Sequence, residues 1–331
     1  MRRFINRTLI FLSPILVLMV IAILLDPFKV FFSYEDPYKD TFVTLNRENV
    51  VVNKFEEMYD KEQYDSFILG NSRSQAFHCT KWSEYLPFSA KTFHFDANGE
   101  SILGIKNKLN FLHRNGVEIA NVLIVLDEEI LDFVEERESH IYTIHPKLSG
   151  GSNIHYYLKF LKKSLNMNFF FSFVEYKFLK KKREYMEGYI RHPNYHTFDP
   201  RTCDLFFDYE NEISNDSIGY YSKKVKKGIF YNRENLRVDT MDLKIKAKNY
   251  LEDIAQVIKS QNTKYKIVIS PLYNQRKLSQ KKMTFLKDLF GQENIYDFSG
   301  KNELNESIGN FYESSHYRPF IANRILEKIY N

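Results

Sequence analysis

Short apolar segments rich in β-branched and aromatic residues alternate along the chain with segments of helical spacing. Turn residues bound each apolar segment, which predicts buried strands. The predicted strands cover residues 66–71, 91–97, 121–127, 265–272 and 294–298. The predicted helices cover residues 101–116, 241–261, 278–290 and 317–330. Because strands alternate with helices, we expect an α/β fold with a parallel sheet covered on both faces.

The first apolar segment differs from the others because it is long and uncharged. Residues 8–25 read TLIFLSPILVLMVIAILL, and as a helix this run spans roughly 27 Å, close to the hydrocarbon thickness of a bilayer. Arg2, Arg3 and Arg7 precede it, so the positive-inside rule places residues 1–7 in the cytoplasm. A cleaved signal peptide is the alternative, but no small-x-small site follows the run. We therefore expect a single-pass anchor in the cell membrane and an extracytoplasmic main domain.

Two further segments depart from the alternation. Residues 26–63 are polar and aromatic without clear periodicity, and they predict a stalk that leads into a domain of residues 64–331. Residues 128–238 interrupt that domain and are rich in Tyr, Phe and Lys, which predicts a helical insertion. Its aromatic side chains either form the insertion's own small core with a solvated lysine face or rest with the lysines on an anionic membrane surface. We favour the core.

Composition and cysteine content argue against several classes of function, namely nucleic-acid binding, metal binding and nucleotide-cofactor binding. The chain has 331 residues and a net charge of +5, spread over interspersed acidic and basic residues, which gives little support to nucleic-acid binding. Cys79 and Cys203 are the two cysteines, too few for a disulfide framework and in no metal-ligand spacing. No glycine-rich phosphate loop is present. We therefore expect no cofactor, no metal and no nucleic-acid partner.

Polar residues stand where the predicted strands end, and ligands of open parallel sheets bind at that edge. The first strand ends in GNSRS with Ser72, the second in DANGES with Asn98 and Gly99, and the third in VLDEE with Asp127. A strand that turns sharply into a helix exposes the Ser72 hydroxyl near unpaired backbone N–H groups, which can stabilise an oxyanion. Asp127 is a structural or a substrate-contacting carboxylate.

A serine nucleophile requires a base and an acid that orients the base. The segment ESSH places Glu313 and His316 three residues apart on a loop before the last predicted helix, where both can lie on one side of a tight turn. A turn or cap role for these residues is the alternative. Arg73 either binds an anionic substrate or forms a salt bridge. For His94, near the second strand end, a packed or surface role is the simpler interpretation.

The segments ILGNSRS, NGES and ESSHYRP resemble, in this order, blocks one, two and five of the SGNH (GDSL-type) hydrolases. The resemblance covers most of residues 64–331 and leaves residues 128–238 unmatched. Together with the predicted anchor, it is closest to the membrane-anchored SGNH-like group that accompanies membrane-bound O-acyltransferases, which includes the D-alanine transfer protein of teichoic-acid operons. The resemblance implies a flavodoxin-like sheet and acyl transfer on cell-envelope polysaccharide.

Carried over to this chain, the resemblance implies a nucleophile at Ser72, a base at His316 and an orienting acid at Glu313. It also implies oxyanion donors at the backbone N–H groups of Ser72 and Gly99. Three departures are visible. Asn71 and Glu313 stand where the family has aspartate, and the third block, Gly-x-Asn in the family, reads VLD here. This last change removes a side-chain oxyanion donor unless Asn98 or Arg73 replaces it.

Three functions are consistent with these residues. The first is a serine-dependent esterase or acyltransferase that acts on a cell-envelope polysaccharide; water and a sugar hydroxyl compete for one acyl-enzyme, so the sequence does not separate the two. The second is a non-catalytic accessory protein that binds glycan or docks on a membrane-bound O-acyltransferase. The third is a lipid esterase, which an aromatic insertion near a membrane suits.

Overall fold

The computed structural model describes residues 1–137, 139–191, 196–233 and 238–331, without the side chains of residues 2–3, 5–10 and 196. The strands are β1 Ser66–Gly70, β2 Thr92–His94, β3 Asn121–Leu126, β4 His196–Phe198, β5 Leu205–Phe207, β6 Lys264–Ile269, β7 Ile295–Asp297, β8 Phe311–Glu313 and β9 His316–Tyr317. The helices are α1 Arg2–Leu25, α2 Arg47–Glu62, α3 Cys79–Ser83, α4 Ile102–Arg114, α5 Glu128–Asp132, α6 Pro146–Ser149, α7 Asn153–Ser164, α8 Met167–Leu179, α9 Tyr209–Asn215, α10 Ser217–Lys226, α11 Ile245–Ser260, α12 Gln280–Phe290 and α13 Pro319–Tyr330.

Five parallel strands form the central sheet in the order β2-β1-β3-β6-β7. Each of these strands lies within or beside a predicted one, and the four predicted helices appear as α4, α11, α12 and α13. The α/β architecture with a parallel sheet flanked by helices is therefore confirmed. The order is the one found in flavodoxin-like sheets, in which the chain reverses direction across the sheet at β1 and β3.

Side chains alternate between the two faces of the sheet, so each strand contributes to two cores. On one face Phe67, Leu69, Ile124 and Ile267 pack against α2, α4, α11 and α12. On the other face Ile68, Leu123 and Val268 pack against α3 and α13. Both faces are thus apolar and covered, and polar chemistry is left to the strand ends.

The segment predicted as a stalk belongs to the domain. It contains α2, on which Val50, Val51 and Phe55 are buried in the main core together with Phe28 and Phe42 from the preceding loop. The expected stalk is therefore not an extended connector. Charged residues are buried on this helix together with the apolar ones, so its sequence shows no clear apolar stripe.

The predicted insertion contains α5 to α10 and the antiparallel β4–β5 hairpin. Three of its aromatic residues join the main core of the domain: the ring centroids of Phe160 and Phe169 lie 6.0 and 4.9 Å from that of Phe28, and the centroid of Phe173 lies 4.8 Å from that of Phe42. These three side chains are thus core residues, but they belong to the main core of the domain and not to the separate small core expected for the insertion.

Helix α1 extends away from the domain. Its last turn is partly buried against the body, whereas the apolar side chains of Phe11, Ile15, Val20 and Leu24 are exposed. Residues 8–10 of the predicted anchor have side chains outside the described set. In the part of the chain that the structure describes, no helix meets the length and apolarity needed to cross a membrane.

A buried ion pair connects α2, in the segment predicted as a stalk, to the edge of the sheet. Arg47 Nε donates to Asp96 Oδ1 at 2.8 Å, and both side chains are fully buried. Gln75 Nε2 donates to the other carboxylate oxygen at 2.7 Å, and Arg47 Nη2 donates to the backbone oxygen of Cys203 in the insertion. Burial, the largest single influence, raises the pKa of the Asp96 carboxyl, but Arg47 and the hydrogen bond from Gln75, together with the other groups around the carboxylate, outweigh burial and hold that pKa below its usual value.

We expect Arg47→Met to lower the free energy of unfolding by about 3–5 kcal/mol, because it leaves the Asp96 carboxylate buried without its cation. Urea unfolding monitored by circular dichroism measures this change. The matched control is Lys246→Met, which breaks the exposed Lys246–Glu135 pair and is expected to have a much smaller effect, because solvent screens this pair. Equal effects of the two substitutions would contradict the structural role of the buried pair.

His145, the N-cap of α6, is a buried histidine that generates a pH-dependent term in stability. Burial, followed by the charge of Lys147, lowers the pKa of its imidazole to about 4. Because this value is below the unfolded pKa of about 6.5, the stabilising contribution is present above pH 6.5 or so and is lost as the pH falls toward 4.

We expect His145→Asn, which retains a capping side chain, to reduce the loss of stability between about pH 7.5 and pH 5 by roughly 2 kcal/mol. Denaturant titrations of the wild type and the variant at both pH values measure the difference. His155→Asn, at an exposed histidine, serves as the control. An unchanged pH dependence in His145→Asn would show that this imidazole does not titrate below its unfolded value.

Candidate active site

The parallel register brings the predicted strand-end residues to one edge of the sheet. Ile68 pairs with His94, and Gly70 pairs with Val125, so the turns that carry Ser72, Gly99 and Asp127 leave the sheet side by side. At Gly70 a Cβ atom would lie 2.7 Å from the carbonyl oxygen of Val125. A glycine is therefore required for the chain to turn this close to β3.

A hydroxyl, an imidazole and a carboxylate form a continuous chain at this edge. His316 Nε2 lies 2.7 Å from Ser72 Oγ, and His316 Nδ1 is hydrogen bonded to Glu313 Oε1. The other carboxylate oxygen of Glu313 accepts the backbone N–H of Ser315 at 2.9 Å. The three residues predicted to act together are thus in direct contact, with the imidazole between hydroxyl and carboxylate as general-base activation of a serine requires.

The short β8–β9 hairpin explains why ESSH forms this arrangement. Glu313 and His316 are paired across the hairpin, and Phe311 and Tyr317 are buried beneath them. Because successive residues of a strand face opposite ways, burial of Tyr317 leaves the side chain of its neighbour His316 directed away from the core. The pairing is irregular between Phe311 and Glu313, and Glu313 pairs with His316 beyond that irregularity. Both side chains remain partly accessible, His316 at 36% and Glu313 at 25%.

The electrostatic setting keeps Glu313 ionised. Burial by itself raises the pKa of its carboxyl, but the hydrogen bond and charge of His316, with the N–H of Ser315, outweigh burial and hold that pKa below its usual value. Lys224 of α10 adds a further attraction. At neutral pH a carboxylate therefore faces His316 Nδ1, which favours the tautomer whose Nε2 can accept the Ser72 proton.

Arg73 forms salt bridges, which was one of its two predicted roles. Its Nη1 lies 2.7 Å from Asp127 Oδ2 and 3.4 Å from Glu129, and its Nε donates to the backbone oxygen of Ser315 at 3.1 Å. The guanidinium thus connects the turn that carries Ser72 to the hairpin that carries His316. Nothing in the sequence signals this long-range contact.

Asp127 is a structural carboxylate. It is 1% exposed, it caps α5 through the N–H of Ile130, and its second oxygen accepts from both Arg73 and the Asn71 amide. These contacts occupy both oxygens and leave none directed at the solvent. Of its two predicted roles, the structural one agrees with this burial.

The backbone N–H groups of Ser72 and Gly99 are the two predicted oxyanion donors. In the part of the chain that the structure describes, the N–H groups of Ser72 and Gly99 donate no hydrogen bond. Gly99 has a φ of +54°, and a Cβ there would lie 2.9 Å from the Tyr142 ring and 3.3 Å from Arg137 Nη1. Only glycine fits this position without strain.

Two expected contributions to oxyanion binding differ in the structure. The Asn98 amide donates to the backbone oxygen of Leu45 at 3.0 Å, so its side chain is engaged with the loop before α2. The turn after Ser72 continues into a short 3₁₀ turn, Ser74–Ala76, before α3 begins at Cys79. The helix expected directly after the Ser72 turn is therefore a short 3₁₀ turn, and the first α-helix begins further along the chain.

Among the described residues, one group of three side chains brings together atoms of the types that bind metal ions. The ligand atoms of Cys79, His94 and Asp204 lie within 4.8 Å of one another, and all three residues are buried. Hydrogen bonds account for their proximity: His94 Nδ1 lies 3.1 Å from Asp204 Oδ1, and the N–H of Cys79 donates to Asp204 Oδ2 at 2.8 Å. Burial, followed by the Asp204 charge, raises the pKa of the Cys79 thiol well above its usual value. The spacing of 79, 94 and 204 matches no sequence motif.

Comparison of the chain with protein-family models, with curated proteins and with solved structures finds no match in any of the three. The site is accordingly argued from its geometry, and the resemblance to SGNH hydrolases stays a prediction.

We expect Glu313→Gln and His316→Ala to slow the reaction of Ser72 with a fluorophosphonate probe by roughly 10⁴-fold, because they remove the orienting carboxylate and the base of the triad. Probe incorporation over time, measured by intact mass, gives the rate constants. Glu303→Gln, which removes a carboxylate from an exposed surface ion pair, is the control and should react as the wild type does. Wild-type reactivity of Glu313→Gln would exclude an orienting role for this carboxylate.

Proposed function

We propose that this protein is a serine-dependent acyl-transfer enzyme, an esterase or acyltransferase of the SGNH-like type, which acts outside the cytoplasm on a cell-envelope polysaccharide. The observation that carries the proposal is the chain of contacts from Ser72 Oγ through His316 to Glu313. A partly exposed serine held 2.7 Å from an imidazole is the arrangement that makes a weak nucleophile reactive.

The reaction proceeds in two halves. Ser72 Oγ attacks the carbonyl carbon of an ester while His316 Nε2 takes its proton, and the backbone N–H groups of Ser72 and Gly99 stabilise the oxyanion. Collapse breaks the bond to the leaving alcohol, which takes the proton from His316, and an acyl-Ser72 ester remains. Water or a sugar hydroxyl then gives its proton to His316 and attacks the carbonyl carbon of this ester. The bond to Ser72 Oγ breaks, His316 returns the proton to Oγ, and the acid or the acylated sugar leaves.

The cellular setting of the proposal rests on the N-terminal segment. Helix α1 presents apolar side chains that the domain does not cover, including Phe11 at 78% and Leu24 at 69% exposure. Arg2, Arg3 and Arg7 precede the apolar run. These features support a single-pass anchor with a cytoplasmic N-terminus, and a membrane-held acyl-transfer enzyme with a solvent-facing site suits a polymeric envelope acceptor.

A second candidate function is a non-catalytic accessory protein that binds glycan or docks on a membrane-bound O-acyltransferase. The observation that favours it is the side chain at the end of β3, where a buried, fully bonded Asp127 stands in place of an amide donor. With Asn98 also engaged, the oxyanion donors are backbone groups alone. Losing one side-chain donor typically costs about 10²–10³-fold in rate.

We expect the full-length protein in detergent to hydrolyse p-nitrophenyl acetate, and an added oligosaccharide acceptor to divert acetyl groups to the sugar if the enzyme is a transferase. Nitrophenol release and acetyl-oligosaccharide, quantified by mass spectrometry, measure the two routes. Ser72→Ala is the control and should lose both. A folded wild type without turnover, recovered from membranes together with a polytopic acyltransferase, would instead support the accessory function.

A further inference from the structure

A second hydroxyl–imidazole–carboxylate chain lies directly behind the nucleophile turn. Ser74 Oγ is 3.1 Å from His94 Nε2, and His94 Nδ1 is 3.1 Å from Asp204 Oδ1. All three residues are fully buried. Because no substrate can reach Ser74, this chain is not a second active site.

The hydrogen-bond directions follow from the acceptors. Ser74 Oγ also lies 2.8 Å from the carbonyl oxygen of Asn71, which can only accept, so the single hydroxyl proton points to Asn71. His94 Nε2 must then donate to Ser74 Oγ. A proton also lies between His94 Nδ1 and Asp204 Oδ1, since two bare acceptors would repel each other at this distance.

Hydrogen bonds between Asn71 and Ser74 bridge the turn across Ser72. The carbonyl of Asn71 accepts the hydroxyl of Ser74 and also its backbone N–H, at 2.8 Å each. The Ser72 peptide unit is therefore held between two residues that are themselves bonded to each other. His94, at the end of β2, fixes Ser74 against the sheet.

The carboxylate at the far end belongs to the insertion. Asp204 precedes β5, and its second oxygen accepts the N–H of Cys79 at 2.8 Å. Two residues earlier, the carbonyl of Thr202 accepts the backbone N–H of His94 at 2.8 Å. The insertion is thus hydrogen bonded to the end of β2 and to the start of α3, which flank the turn that carries Ser72.

We propose that Asp204, His94 and Ser74 form a buried positioning chain through which the insertion holds Ser72 in line with His316. This inference rests on the proposed function, because it assigns a role in the reactivity of Ser72. None of the three side chains touches the reacting atoms. Misplacement of a nucleophile by about 1 Å can cost on the order of 10²-fold in rate, so a modest change in the turn has a measurable effect.

The experiment uses the full-length protein and the serine substitution Ser74→Ala. Its matched control is Ser172→Ala: Ser172 is also fully buried and also donates to a nearby carbonyl, that of Asn168, but it lies in α8 and has no contact with the nucleophile turn. The readouts are the saturating rate constant and the half-saturation concentration of fluorophosphonate modification at Ser72, with the midpoint of thermal unfolding.

We expect both variants to unfold at somewhat lower temperature and Ser74→Ala alone to lower the saturating rate constant, by about 10–100-fold, with little change in half-saturation. Asp204→Asn, which keeps the side-chain volume and breaks the same chain, is the second variant and should show the same pattern. A merely structural role would shift the unfolding temperature in all variants and leave the rate constant of folded protein unchanged.

Three outcomes would overturn the inference. If the wild type reacts and folded Ser74→Ala reacts equally fast, the positioning role is wrong while the proposed function stands. If the folded wild type does not react at all, the proposed function fails and the inference with it. If purified wild type contains one equivalent of a transition metal that Cys79→Ser loses, then Cys79, His94 and Asp204 are metal ligands and the hydrogen-bonded chain is wrong.

Discussion

The hydrogen bond between His316 Nε2 and Ser72 Oγ joins parts of the chain that are 244 residues apart. The sheet, the C-terminal hairpin and a salt-bridged arginine all contribute to this contact. The parallel sheet brings the Ser72 turn to its edge, and the β8–β9 hairpin carries His316 to the same edge after the last strand of the sheet. Arg73 then ties the turn to the end of β3 through Asp127 and to the hairpin through the carbonyl of Ser315.

The insertion supports this contact from two directions. On the nucleophile side, Asp204 reaches His94 and the turn behind Ser72. On the hairpin side, Tyr220 donates to the carbonyl of Tyr312, and Glu210 pairs with Arg318 immediately after β9. A segment that interrupts the α/β alternation thus supports both halves of the proposed triad, which gives it a physical reason to be there without any direct part in chemistry.

Sequence reasoning found the elements whose signals are local. The five sheet strands are short apolar runs between turn residues. Ser72, Glu313 and His316 stand where strands or turns end, so their positions and their residue types both indicated a site. Helix α2 was not predicted, because buried charged residues such as Arg47 and Lys54 interrupt its apolar stripe. Within the site, the side chain of Asn98 turned to Leu45, a contact between segments 53 residues apart that no local pattern encodes.

The residues behind the site were missed for the same reason. Ser74 reads as a turn serine and His94 as a packed histidine, and Asp204 lies 110 residues from His94 within an unmatched insertion. Each is unremarkable by itself, and only the fold joins them. Resemblance to a hydrolase family directed attention to the exposed triad and gave no information about this buried chain.

The measurement that tests the central claim most directly is the trapping of an acyl-enzyme. Full-length protein is mixed with p-nitrophenyl acetate, quenched in acid and analysed by intact mass and peptide mapping, beside His316→Ala. The account predicts one acetyl group on the peptide that contains Ser72 in the wild type and none on that peptide in the variant. A folded wild type that carries no acetyl group on Ser72, or equal acetylation of Ser72 in His316→Ala, would contradict it.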